Sequence, residues 1–397
     1  MTDFFEPAGR GVQHASLRAA NRRAVLTTIT FSPGISNADI SRRTGLAPQT
    51  ASAIVSELEA EDLVYRGEVL RGRRGQPATP LFLNYGSAYA FGVEVGWRHL
   101  DILLINLGSR HIDRYRRDYA YPDATTIVAE VADSIGAMME RLDPAKRHRV
   151  VGIGLATPST LARNVELLGD LPEQSGAWGK LDLRAAIEER TGLTTQSYND
   201  GNAACWAQLV TTPPPRPANF AYLFVGTFLG AGVVSQHTLW EGPTGNSANL
   251  GSMLVTGPGG TRLFGHEIAS TYALGKRLEA AGLPAPTGNP RDWPWQQWEP
   301  HLSAWIAEAG AALAEIVLNA AAVIEVDRAI IDGVLPRPLL DQLITETTAA
   351  MSTLPWLTFD HPRVFAGHLG ADAAPVGAGQ LPLFKKYFSR DLADMLP

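Results

Sequence analysis

The stretch from Ser36 to Pro80, SNADISRRTGLAPQTASAIVSELEAEDLVYRGEVLRGRRGQPATP, admits few folds. Ser36 is suited to cap a helix, because its hydroxyl accepts from an orphaned first-turn amide. Ile40 continues the buried face of that short helix, and Gly45 permits the positive φ that ends it. Leu46 packs the turn. Pro48 suits a first helical turn, where its missing N–H costs nothing. A second helix then runs through Ile54, Val55, Leu58 and Leu63, apolar at helical spacing. It opens on Pro48, and Gln49, Thr50 and Ser52 are small and polar, as needed where a helix meets base edges in a major groove. Two strands, 63–69 and 80–83, are expected around Arg71, Gly72, Arg73, Arg74, Gly75 and Gln76. Three arginines among glycines suit phosphate contact or insertion into a narrow minor groove. Turn, helix and basic wing arrive in the order of a winged helix-turn-helix, expected to occupy 1–85 and to bind double-stranded DNA. Such units also serve as protein-interaction modules, and an arginine cluster is often only a solvated loop.

The formal net charge of −6 looks wrong for a DNA binder until it is divided along the chain. Up to Phe82 there are ten arginines, no lysine and eight acids, so the head is slightly basic and the acidic excess lies beyond it. That asymmetry suits a DNA-reading head on a body that is not wrapped in nucleic acid. The single cysteine, Cys205, excludes an internal disulfide and a cysteine-rich zinc site. The start shows no apolar signal-peptide core, and no apolar run of about twenty residues stands out. A cytoplasmic chain that does not meet a membrane is expected.

From Ala88 the pattern changes. Two apolar runs with turn residues between them open a sheet, and a helix is expected over 126–142. RVVGIGLATPST reads as a buried strand, and LRAAIEERTG as a helix closed by Gly192. A strand over 194–198 leads into NDGNAACWAQL, a loop that opens a helix. Strand, glycine turn and strand follow in ANFAYLFVGTFLGAGVVS. Later come an Ala-rich helix through Ile316 and Ile324, a strand RAIIDGVL and a final turn-helix piece. Two βββαβα-like halves of this kind predict an α/β body of two lobes with a cleft between them. The lobes are expected at 86–200 and 201–380, the body at 86–397, and the C-terminal helix returns to the first lobe.

The order of winged helix, GVEVG, GIGLATP, a loop ending in Trp178, SYNDGNAA, GTFLGAG and GNSANLGSM resembles the ROK family of repressors, open reading frames and sugar kinases. The resemblance covers nearly the whole chain and implies the actin-like, two-lobed sugar-kinase fold. The fused head is similar to the repressor branch, whose members release operators when a sugar enters the cleft. By resemblance, Asn199 and Asp200 face the sugar, Asn249 replaces a sugar-binding Glu, Ser252 a His, and Glu267 falls at the last sugar-binding Glu. Asn can still donate to and accept from hydroxyls, so a sugar or polyol remains a suitable ligand. The pair Asn199–Asp200 also reads as a helix-capping turn. Trp178 suits either the cleft or the core.

Three stretches depart from a kinase. Glu94, Val95, Gly96, Trp97 and Arg98 stand where family kinases carry Asp-Ile-Gly-Gly-Thr. Phe228 interrupts the turn from Gly226 to Gly232, and Asp332-Gly333-Val334 replaces a Gly-Gly-Gly turn. Backbone amides cradle phosphates, so bulk in these turns argues against ATP use, a catalytic role and any cofactor. The cysteines of the family's zinc cluster are missing, which excludes zinc there. His266 beside Glu267 reads as a surface turn. The expected function is a sugar-responsive repressor. It would act as a homodimer or tetramer on an inverted repeat, since one small head reads too few base pairs. A sugar kinase with an added head, and a regulator whose body binds no small molecule, remain open.

Overall fold

The computed structural model describes residues 14–68, 79–159, 161, 173–355 and 360–389. The described chain divides into two units. One runs up to Ser87 and includes the residues from Phe384 onward; the other is Ala88–Leu383.

The first unit starts with α1 (His14–Phe31), a helix the sequence reading does not contain. Its Val25, Leu26 and Ile29 are fully buried and pack with α2 (Asn37–Thr44) and α3 (Pro48–Ala60). Ser36 caps α2 by accepting from the Asp39 amide at 3.2 Å. Gly45 ends it at φ +68°, a conformation that costs a Cβ-bearing residue energy. α3 begins on Pro48 and buries Ala51, Ile54, Val55 and Leu58 along one face. β1 (Val64–Arg66) and β2 (Leu81–Leu83) then pair antiparallel, with Val64 opposite Leu83. Both strands are shorter than the expected 63–69 and 80–83. The end of the chain joins this unit: Phe388 packs on Phe384 (ring centroids 4.7 Å), and Phe384 lies 6.4 Å from Phe31. The Ser389 amide donates to Thr27 Oγ1 at 3.0 Å. Among the described residues, Phe384–Ser389 thus belong with the head, whereas the sequence reading places everything beyond 85 in the body.

The second unit runs β3 (Tyr89–Val95), β4 (His99–Asn106), β5 (His111–Asp118), α4 (Ile127–Arg141), β6 (Val150–Thr157), α5 (Leu183–Thr191), β7 (Thr195–Asn199) and α6 (Asp200–Thr211). It continues through β8 (Phe220–Val225), β9 (Leu229–Ser235), β10 (Thr238–Leu239), β11 (Leu254–Thr256), β12 (Arg262–Phe264), α7 (Thr271–Ala280) and α8 (His301–Ile324). It closes with β13 (Arg328–Gly333), α9 (Arg337–Thr353), β14 (Arg363–Ala366) and α10 (Ala373–Tyr387). The two large sheets have the same plan, β5-β4-β3-β6-β7 and β10-β9-β8-β13-β14. In each, the first three strands are antiparallel and the last two join in parallel. The duplication carries out the βββαβα pattern twice. Every residue of β3 is buried, as expected of a strand covered on both faces.

α10 lies directly on the first lobe's sheet. A Cβ at Gly92 would stand 1.9 Å from Pro375 O, and one at Gly154 would stand 1.8 Å from Ala378 O. Glycine at these two strand positions is what lets helix and sheet backbones touch. α8 is long and apolar enough, by length and composition, to cross a membrane, a property the sequence reading overlooked. Its Ile306, Leu313, Ile316 and Val317 are fully buried in the core of the second lobe.

Candidate DNA interface and ligand cleft

α3 separates its residues by side. Pro48, Gln49, Thr50, Ser52, Ala53 and Ser56 are exposed, while Ala51, Ile54 and Val55 are buried. The four residues singled out from the sequence therefore share one open face. Ala47 precedes Pro48 and offers no side-chain cap, so the first-turn amides of α3 are left for another acceptor. A helix N-terminus in this state suits a phosphate oxygen. Among the described arginines of the head, Arg18 pairs with Glu57, Arg22 with Glu61 and Arg42 with Asp39, and Arg66 reaches Glu59 at 2.7 Å. Arg71, Arg73, Arg74 and Gln76 lie outside the described residues.

In the body, Asn199 ends β7 and Asp200 begins α6. Asn199 is the helix cap: its Oδ1 accepts from the Asn202 amide at 3.0 Å. Its Nδ2 donates to Ser159 Oγ at 3.0 Å and Asp200 Oδ1 at 3.1 Å. Capping and lining a cavity are therefore not alternatives: Asn199 caps α6 and also lines a pocket with Ser159 and Asn202. The Asp200 carboxyl is pushed up to about 6, first by desolvation and then by repulsion from Glu94. Glu94 lies within 3.2 Å of His99 Nε2. A carboxyl with this poise accepts hydroxyl hydrogens well when ionised.

The second lobe adds a hydrogen-bonded series. The Leu229 amide donates to His266 Nδ1 at 3.2 Å, so the ring carries its proton on Nε2, which meets Ser252 Oγ at 3.2 Å. Burial lowers the His266 pKa to about 4, against an opposing pull from Glu267, so the ring is neutral. The expected surface turn is thus a packed one: His266 lies against Gly251 and Phe228. Glu267 behaves otherwise. Its carboxylate accepts from the Phe264 amide at 2.8 Å, and it lines an outer groove with Arg277 and Glu308. Within the turn it is His266, and not Glu267, that meets Ser252. Asn249 and Ser252 flank Leu250 and Gly251 with exposed side chains. Trp178 is a core residue whose Nε1 donates to Pro122 O at 2.7 Å.

In the turns that depart from the kinase pattern the side chains pack on other residues of the protein. Trp97 meets Phe228 edge-on with centroids 4.8 Å apart, and Phe228 packs on Tyr272 at 5.2 Å. The His99 ring covers Gly96 so closely that a Cβ there would stand 2.8 Å from it. Asp332 is buried and accepts from the amides of Gly333 (2.9 Å), Gly370 (3.1 Å) and Leu369 (3.3 Å) and from the Tyr222 hydroxyl (3.3 Å). Its carboxyl is raised by desolvation, which those donors oppose. Among the described residues no three His, Cys, Asp or Glu side chains converge in a way that could hold a metal.

A profile of the ROK family matches residues 90–381, and a winged helix-turn-helix DNA-binding profile matches residues 18–65. The chain is 26% identical over 272 residues to the xylose repressor of Bacillus subtilis (strain 168), which is 66% of this chain and 69% of that protein. Among solved structures, a ROK family transcriptional regulator, a homologue of the E. coli MLC protein, superposes with a TM-score of 0.69. That superposition has 20% identity and covers 95% of this chain and 98% of the other. A ROK family glucokinase from Streptomyces griseus, in complex with glucose and AMPPNP, superposes with a TM-score of 0.57 at 20% identity. It covers 74% of this chain and 99% of the kinase. The duplicated sheets and the match across most of the sequence place the chain in the ROK family, with a winged helix-turn-helix fused before its two-lobed body.

Proposed function

We propose that this protein is a sugar-responsive DNA-binding repressor, acting in the cytoplasm as a homodimer or tetramer on operator DNA and not as an enzyme. One observation carries the reading. A head with an exposed polar face on α3 is joined to a kinase-like body whose three nucleotide turns hold Trp97, Phe228 with Tyr272, and Asp332. Phosphoryl transfer depends on positioning and charge neutralisation, which a filled site does not supply. Pro48, Gln49, Thr50 and Ser52 meet the major groove, while Arg71, Arg73, Arg74 and Gln76 of the wing hold phosphates or the minor groove. Asn199, Asp200, Asn249 and Ser252 take the hydroxyls of a carbohydrate in the cleft, with His266 orienting the Ser252 hydroxyl. The xylose repressor among its relatives makes D-xylose the first ligand to try.

The test uses DNA from upstream of the protein's own gene, titrated with full-length protein with and without D-xylose, D-glucose and other neutral sugars. Tight binding that one of them weakens is the expected result. Sugar phosphorylation with ATP and magnesium at about 1–100 per second, lost in Asp200→Ala, would overturn the reading.

A further inference from the structure

Glu94 stands on the middle strand of the first lobe's sheet and is 7% exposed. A carboxylate this far out of water costs free energy unless a cation meets it. Among the described residues the group that does so is His99, just past the β3–β4 turn, whose Nε2 lies 3.2 Å from Glu94 Oε2. The nitrogen stands off the line of a hydrogen bond, so the pair attracts through charge, when the ring is protonated. His99 is fixed in place. Its carbonyl accepts from the Gly96 amide at 2.9 Å and the Tyr119 hydroxyl at 2.6 Å, and its ring rests on Gly96.

The same corner of the sheet leads to Asp200. Glu94 is level with Ala156 in the register, and Ala156 with Tyr198. Glu94 is thus two strand spacings, roughly 10 Å, from the strand that runs into Asp200. Glu94 repels the Asp200 carboxylate and His99 attracts it. The other charged groups around the pair are already matched. Asp101, opposite Glu94, is held by Arg114 and Arg116, and Asp118, opposite His99, by Arg116. Arg117 pairs with Glu130, and Arg98 donates to Ala120 O at 2.7 Å.

We propose that His99 is a positioning residue for the cleft: its imidazolium takes up the Glu94 charge and leaves the Asp200 carboxylate free to meet a sugar hydroxyl. This rests on the reading of Asp200 as a carbohydrate acceptor and adds its regulation. The charge balance of three side chains, and not Asp200 alone, sets the pH range in which sugar is held. Without the imidazolium, Asp200 faces Glu94 uncompensated and needs a higher pH to ionise; without the Glu94 charge it needs a lower one.

Calorimetric titration of the full-length protein with D-xylose and D-glucose across about pH 5–8 tests this in the parent, His99→Gln, His99→Lys, Glu94→Gln and Asp200→Ala. Affinity in the parent should fall toward acid. The midpoint of that fall should rise by about half a pH unit or more in His99→Gln and drop by a similar amount in Glu94→Gln. His99→Lys keeps its charge throughout and should return the midpoint to the parent's or below. Glu94→Gln changes charge with little change of shape, so it carries the test should His99→Gln fail to fold. Weaker binding by one factor at every pH in His99→Gln, with the midpoint unmoved, would make His99 a packing residue and overturn the proposal while the cleft reading stands. A parental profile in Glu94→Gln would do the same. Parental binding in Asp200→Ala, or a parent that binds neither sugar, would sink the cleft reading and the proposal with it.

Discussion

Asp200 is where burial and charge meet in a single side chain. Its carboxyl is raised to about 6, while an unfolded aspartate titrates near 3.8. Between those values the folded state holds a proton that the unfolded state releases. The stability this provides is full below about pH 4 and is lost as pH rises through 6. Asp200→Asn should therefore stabilise the protein at pH 7–8 by up to about 3 kcal/mol, with the gain fading toward pH 4, as read by denaturant titration. Ligand binding should show the opposite sense. A sugar hydroxyl needs the ionised acceptor, so affinity should fall severalfold between pH 7 and 5 in the parent and stay flat in the Asn variant. The strand-to-helix junction at Asn199 and Asp200 was legible in the sequence. His266 was misjudged as a surface residue, since nothing in adjacent letters says which of His266 and Glu267 the turn points inward.

Among the elements, those with punctuation were legible and those without it were not. Ser36, Gly45, Pro48 and Gly192 each sit where a helix starts or stops. α1 escaped because its stripe of Val25, Leu26 and Ile29 is short, and Thr27, Thr28 and Thr30 obscure it. Those threonines donate to carbonyls one turn back at 2.6–2.8 Å, which satisfies their hydroxyls inside a helix that composition alone would not suggest. The sequence could not tell whether the bulky residues of the glycine turns point out or in. They point in and pack on one another. Phe228→Gly should thus cost stability, about 1–3 kcal/mol for a partly buried ring, without creating ATP turnover. A variant that folds normally and phosphorylates a sugar would contradict the account of these turns. In the head, changing Gln49 or Thr50 should alter operator sequence preference by about 1–3 kcal/mol at one position, measured on a panel of single-base variants.

At the scale of the whole molecule, duplication of one five-stranded plan makes two lobes, and a winged helix-turn-helix is fused before them. If the wing arginines hold phosphates, replacing Arg73 and Arg74 should weaken all DNA alike. It should also reduce the slope of log affinity against log salt by about 0.9 for each phosphate no longer neutralised. Sedimentation should find a dimer or larger assembly on an inverted repeat.

The central claim is that one chain couples the Asp200 cleft to operator binding. Coupling is reciprocal: if a sugar weakens operator binding tenfold, a difference of about 1.4 kcal/mol, the operator must weaken sugar binding by the same factor. The deciding measurement is operator affinity of the full-length protein and of Asp200→Ala across a titration of the active sugar. The account predicts equal operator affinity for the two without sugar, release of the parent as the cleft fills, and no response from Asp200→Ala. Release of Asp200→Ala at the parent's sugar concentration would contradict it.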